Sequence, residues 1–102
     1  MGIAIRPSRT SDLESIYQLI KEFSEFQKTP EKVKVTLAQM QDDQEVFKCL
    51  VATDGAKIIG FASYYFAYHS WTGKAIYLDD LYVQPHYRGQ KVGNQLFNSV
   101  ME

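Results

Sequence analysis

The chain is poor in several residue types whose scarcity excludes whole classes of protein. It has one cysteine, Cys49, in 102 residues, which excludes an internal disulfide and any multi-cysteine metal site. Three prolines and six glycines are too few for a low-complexity or collagen-like chain. No apolar run approaches the roughly 20 residues that span a bilayer. The opening Met1-Gly2-Ile3-Ala4-Ile5-Arg6 lacks the pattern of a signal peptide, and Arg6 stands where a myristoylation signal needs Ser or Thr. Charge of either sign is balanced. Residues 1–50 hold seven cations and eight anions, and residues 51–102 hold four of each, for a net charge of -1. Neither half is a basic arm or an acidic tail, so nothing supports electrostatic binding to nucleic acid or to an anionic membrane surface. With 45% apolar and 23% charged residues, the composition is that of one folded domain, expected to be soluble and cytoplasmic.

What is present divides into a helical first half and a strand-rich second half. Ile3–Arg6 predicts a short strand closed by Pro7. Thr10 or Ser11 is placed to cap a helix, and Leu13, Ile16, Tyr17, Ile20 and Phe23 recur at helical spacing on one stripe that ends near Phe26. The polar segment from Gln27 to Lys32, with Pro30, predicts a loop, and Thr36 predicts the cap of a shorter helix with Leu37 and Met40. Phe47–Thr53 predicts a strand that turns at Asp54-Gly55 into a second strand, Ile58 to Tyr68. Trp71–Lys74 predicts a further turn, and Ala75 to Val83 a third strand. A last helix carries Val92, Leu96, Phe97, Val100 and Met101 on its apolar face. The predicted order is β-α-α-β-β-β-α, a mixed α+β domain.

Between the third of these strands and the last helix lies Arg88-Gly89-Gln90-Lys91-Val92-Gly93. A loop that feeds a helix N-terminus offers unpaired amides and a positive dipole end to an anion. Gly89 and Gly93 let backbone approach a phosphate closely, and Arg88 and Lys91 add charge. On spacing alone, a simple strand-to-helix turn with two solvated cations explains the segment equally well. The dinucleotide pattern G-x-G-x-x-G and the Gly-Lys-Ser/Thr of a phosphate-binding loop are both absent.

The longer segment from Tyr77 through Asp79, Asp80, Val83, Pro85 and Arg88 to Gly93 resembles the acetyl-CoA-binding core of the GNAT N-acetyltransferases. The likeness extends through Tyr64–Lys74 and back to the first strand and helix. Within that family it is most similar to the diamine (spermidine/spermine) and thialysine acetyltransferases. The resemblance implies a GNAT-like acyl-CoA N-acyltransferase fold for residues 1–102, acetyl-CoA as co-substrate, and no metal. It further implies that a bulged strand presents the main chain of Leu81, Tyr82 and Val83 to the pantetheine arm and thioester. Arg88, Gly89, Gln90, Lys91, Val92, Gly93 and Asn94 match the loop that wraps the pyrophosphate. Lys91 stands where the family pattern usually has a glycine, and a lysine there is unstrained only with negative φ.

Acyl transfer to an amine needs the amine neutral, so a group must accept its proton. Adjacent strand residues point to opposite faces, so only one of Asp79 and Asp80 is expected to face a substrate. A bare pair of this kind, taken without any family context, reads more readily as a solvated strand end than as a catalytic group. The resemblance singles out Asp79 as the catalytic residue that contacts the amine, with Asp80 structural. It also matches Phe26, Gln27 and Trp71 to substrate contacts. Relatives specialised for polyamines carry glutamate where this chain has Gln27, which disfavours a second ammonium. Trp71 fits simple packing as well as a substrate wall, with His69 close by in sequence. His69 and His86 lack metal-ligand spacing and are expected at the surface, and Cys49 is expected as a core thiol.

Family members continue beyond the last helix into a splayed strand and a helix carrying the tyrosine that protonates the departing thiolate. None of Tyr64, Tyr65, Tyr68, Tyr77, Tyr82 and Tyr87 matches that tyrosine. The expected consequence is an exposed edge on the Ala75–Val83 strand and association as a homodimer or strand-exchanged oligomer. The leading functional reading is acetyl transfer from acetyl-CoA to a primary amine of a small molecule, a diamine, polyamine or thialysine-like compound. The alternative is a non-catalytic acyl-CoA-binding or oligomerising relative. A nucleotide-binding regulator would rest on the glycine-containing loop alone.

Overall fold

The computed structural model describes residues 2–101. Its elements run β1 (Ile3–Pro7), α1 (Leu13–Phe26), α2 (Leu37–Asp42), β2 (Lys48–Asp54), β3 (Lys57–His69), β4 (Gly73–Val83) and α3 (Val92–Met101), in the predicted order. The strands form one sheet in the order β1-β2-β3-β4, with every neighbouring pair antiparallel.

Alternation along the central strands builds a core on each face. Cys49 and Val51 of β2 join Leu13, Ile16 and Leu19 of α1, Met40 of α2 and Phe61 of β3 on one side. Leu50 and Ala52 join Ile59 and Ala62 of β3 and Val92, Leu96 and Val100 of α3 on the other. This explains why β2 is apolar at successive positions, since a strand covered on both faces has no solvent side. The predicted stripe of α1 omitted Leu19, which is 3% exposed. No helix of the described residues is long and apolar enough to cross a membrane.

Two local expectations change. Neither Thr10 nor Ser11 caps α1: a single 3-10 turn covers Thr10–Asp12, and the Arg9 amide donates to Asp12 at 2.7 Å. The Thr10 hydroxyl is instead directed to Gln44, at 2.6 Å. Arg6 grips the same Asp12 carboxylate with two hydrogen bonds of 2.7 and 3.1 Å, which ties β1 to the start of α1. The bond from Arg6, followed by partly opposing desolvation, holds the Asp12 carboxyl below its ordinary value. The second change is at the β2–β3 turn, where Asp54 pairs with Lys57, so the loop residues are Gly55, with φ +63, and Ala56. At α2 the expected cap is present. Thr36 accepts from the Gln39 amide at 3.1 Å and the Gln39 side chain accepts from the Thr36 amide at 2.9 Å.

Candidate active site

The site is built around a slip in β4. Ser63 pairs with Asp80 but Tyr64 pairs with Leu78, so Asp79 is an extra residue, a β-bulge. Ile76 and Leu78 before it, and Leu81 and Val83 after it, all pack on the α3 side. Alternation from Leu78 puts Asp79 on the α1 side, and alternation back from Leu81 puts Asp80 there too. This corrects the expectation that the two carboxylates point to opposite faces. The Ser63 hydroxyl donates to Asp79 Oδ2 at 3.3 Å and accepts from the Asp80 amide at 3.2 Å. Desolvation against the sheet, and then the Asp79 charge beside it, raise the Asp80 carboxyl above its ordinary value even though its outer surface meets solvent. No hydrogen bond to the Asp80 carboxylate is formed among the described residues; its main-chain amide is the group that is held. Asp79 opens on a cavity of about 420 Å³ shared with Asp43, Val46, Phe47, Ser63 and Tyr65.

Past the bulge, β4 runs close over Gly60. A Cβ added at Gly60 would lie 2.9 Å from the Tyr82 carbonyl oxygen, nearer than packed atoms approach. The Tyr82 side chain is buried on the α1 side, stacked on Phe23 with ring centroids 5.0 Å apart. Its hydroxyl donates to Glu22 at 2.5 Å. Burial, and then the bond to Glu22, push its pKa up to about 12, so it stays protonated and neutral at physiological pH.

A second cavity, of about 440 Å³, lies where β4 meets α3. Nine of the ten residues matched to the cofactor line it: Leu81, Tyr82 and Val83 from β4, and Arg88, Gly89, Lys91, Val92, Gly93 and Asn94 from the loop and helix start. Gln90 does not. Phe23 lines it as well; its place in the apolar stripe of α1 pointed to burial but not to this cavity. Gly89 has φ +89 and Lys91 has φ +63, so Lys91 takes the left-handed conformation that disfavours a side chain. These turns bring the loop to the N-terminus of α3, where first-turn amides lack intrahelical acceptors. Arg88 is held from three sides. Its Nε donates to the Val83 carbonyl at 2.9 Å, and its guanidinium lies 4.7 Å from the Phe26 ring centroid and 5.4 Å from that of Tyr82. Cations, glycine-rich backbone and free amides in one concavity are the donor set a pyrophosphate requires.

The residues matched to the amine are less gathered. Phe26 packs on Arg88, on the side of the second cavity, and Gln27 is the exposed C-cap of α1. Trp71 is 96% exposed at the tip of the β3–β4 hairpin, about 20 Å along the strand from Asp79 at the usual rise per residue. His69 bonds the Tyr77 hydroxyl at 2.9 Å. Ser63, Asp43 and Phe47, which do share a cavity with Asp79, carried no motif signal in the sequence. Cys49 is 3% exposed and burial pushes its thiol up to about 12, which keeps it protonated and unreactive. No group of three or more metal-ligating side chains occurs among the described residues.

The bulged fourth strand and the loop that feeds α3 place the chain in a class that comparison with known proteins identifies. The sequence profile of the acetyltransferase (GNAT) family matches residues 13–102. The chain belongs to that family. It is 37% identical over 110 residues to thialysine N-epsilon-acetyltransferase of Mus musculus, covering 96% of this chain and 65% of that protein. It is 33% identical over 109 residues to the human spermidine/spermine N(1)-acetyltransferase-like protein 1, covering 96% of this chain and 16% of that protein. The chain thus spans just under two thirds of the length of the thialysine acetyltransferases it matches. Among solved structures, an aminoglycoside acetyltransferase from an uncultured soil metagenomic sample, in complex with sisomicin, superposes with a TM-score of 0.81 at 22% identity, covering 97% of this chain and 67% of that one. An aminoglycoside N-acetyltransferase in complex with CoA gives 0.74 at 20% identity, covering 98% and 67%. These two likenesses concern the fold.

Proposed function

We propose that residues 1–102 form the N-terminal portion of one acetyltransferase domain, which moves an acetyl group from acetyl-CoA to a primary amine of a small molecule in the cytoplasm. The observation that carries this reading is the cavity of about 440 Å³ at the junction of β4 and α3, where free amides, two positive-φ residues and two cations converge. In it Arg88, Lys91 and the amides of Gly89 to Asn94 hold the pyrophosphate, and the main chain of Leu81–Val83 lies along the pantetheine arm. Acetyl-CoA supplies the thioester that an amine attacks and the thiolate that departs. The amine reaches the site as an ammonium, and Asp79 draws off its proton, directly or through one water, leaving the nitrogen lone pair free. A diamine or a thialysine-like amine fits this reading, which follows the named activities of the relatives. The neutral, exposed Gln27 favours a short amine over a long polyamine.

The test begins with calorimetric titration of the protein with acetyl-CoA and with ATP, followed by acetyl transfer to a panel of short amines. Micromolar binding of acetyl-CoA with no competition from ATP is the expected result. Asp79→Ala should then lower turnover about 100-fold or more while leaving acetyl-CoA affinity within about twofold, the size expected for a lost general base. Binding without turnover of any amine would favour the acyl-CoA-binding module instead. Competition by ATP would favour a nucleotide regulator.

A further inference from the structure

We infer that Ser63 is a positioning residue for Asp79, a role that rests on the proposed amine acetylation and refines it. The inference starts from the bulge. An extra residue in β4 leaves ladder groups displaced and lets the bulged side chain swing unless something holds it. Ser63 sits opposite the slip and is 5% exposed, so its hydroxyl has to find partners within the protein. It finds two. The Asp80 amide, 3.2 Å away, can only donate, which makes the Ser63 oxygen the acceptor there. The one hydroxyl proton is thereby free for Asp79 Oδ2, 3.3 Å away.

A single buried hydroxyl thus links the main-chain register of the bulge to the orientation of the carboxylate. The arrangement occupies Oδ2 and leaves Oδ1 without a hydrogen bond among the described residues, on a side chain that lines the cavity shared with Val46 and Phe47. Asp80, on the same face, has no such hydroxyl donor. The bridge therefore distinguishes between two adjacent, chemically identical side chains.

The experiment compares Ser63→Ala and Ser63→Thr with the unaltered protein, each at its full natural length. The Ala variant removes the hydroxyl from a small buried site, and the Thr variant restores it. Three readings are taken: the kcat and KM for a short primary amine, acetyl-CoA affinity with the thermal midpoint, and the NMR signals of the Asp80 amide and Asp79 carboxyl carbon. Ser63→Ala should lower kcat about tenfold, the scale of one hydrogen bond to a charged group, with amine KM and acetyl-CoA affinity within about twofold. Both NMR signals should move, and Ser63→Thr should recover most of the rate and both signals. The inference is overturned if Ser63→Ala keeps the original kcat. It is overturned equally if rate, cofactor affinity and thermal midpoint fall together, or if Thr restores nothing. Should the unaltered protein acetylate no amine, the functional reading fails by itself. The NMR signals then decide the bridge separately: shifts in Ala reversed in Thr support it, and unchanged signals exclude it.

Discussion

Lys91 is the residue where local strain and candidate function meet. Its φ of +63 places a side chain in the left-handed region, at a cost of about 1–2 kcal/mol. The same turn aims the loop at the cavity and leaves a cation beside it. Replacing it with glycine removes the strain, offset in part by the greater freedom of the unfolded chain. Lys91→Gly should therefore raise stability by about 0.5–1 kcal/mol, seen as a higher thermal midpoint. Because one cation is lost at the proposed pyrophosphate site, acetyl-CoA affinity should become less sensitive to salt. A lower midpoint would show that Lys91 makes contacts that outweigh its backbone strain. That position 91 usually holds glycine was visible only through the likeness to the GNAT family pattern. The sign of φ was not visible, because it depends on where Pro85–Tyr87 and α3 fix the loop's two ends.

At the scale of elements, β3 and β4 are joined through a close approach and a slip, each open to test. Gly60→Ala puts a methyl 2.9 Å from the Tyr82 carbonyl, which main chain cannot give way to without moving β4. The expected loss is about 1–3 kcal/mol in chemical denaturation, with weaker acetyl-CoA binding because the Leu81–Val83 main chain shifts. Unchanged stability would mean that β4 has room to lift. The β1–α1 junction is the second case. Arg6 and Arg9 hold Asp12 ionised, so its folded-state pKa lies below the unfolded value of 3.8. A depressed carboxylate contributes stability that is present above the unfolded value and is lost as pH falls through the folded one. Asp12→Ala should cost about 1–2 kcal/mol at pH 7 and make the stability decline below about pH 4 shallower. Parallel decline in the two proteins would show that other carboxylates govern acid unfolding. The periodicity of Leu13, Ile16 and Phe23 located α1 from sequence, but its cap was misassigned. Thr10 and Ser11 have the right chemistry for a cap, and only the fold shows Arg6 arriving from β1 to fix Asp12 instead.

For the whole molecule, one sheet lies between α1 with α2 and α3, and its two cores meet across β2 and β3. β4 is the last strand of the described sheet, and Phe97 and Met101 of α3 are 44% and 46% exposed. An open strand edge and exposed apolar side chains each favour pairing with another chain. The 102-residue chain is accordingly predicted to sediment as a dimer or larger species at micromolar concentration, and a one-chain mass there would contradict this. The order of elements and the helical stripe of α1 around Leu13 and Ile16 were legible in the sequence alone. They arise from periods of two and 3.6 residues and from turn chemistry, which act between near neighbours. Tertiary structure alone decided that Asp79 and Asp80 share a face, that Ser63 bridges them, and that Phe26 holds Arg88 rather than joining Asp79. Each depends on pairing between segments distant in the chain, where one extra residue in β4 reverses the facing that local alternation predicts.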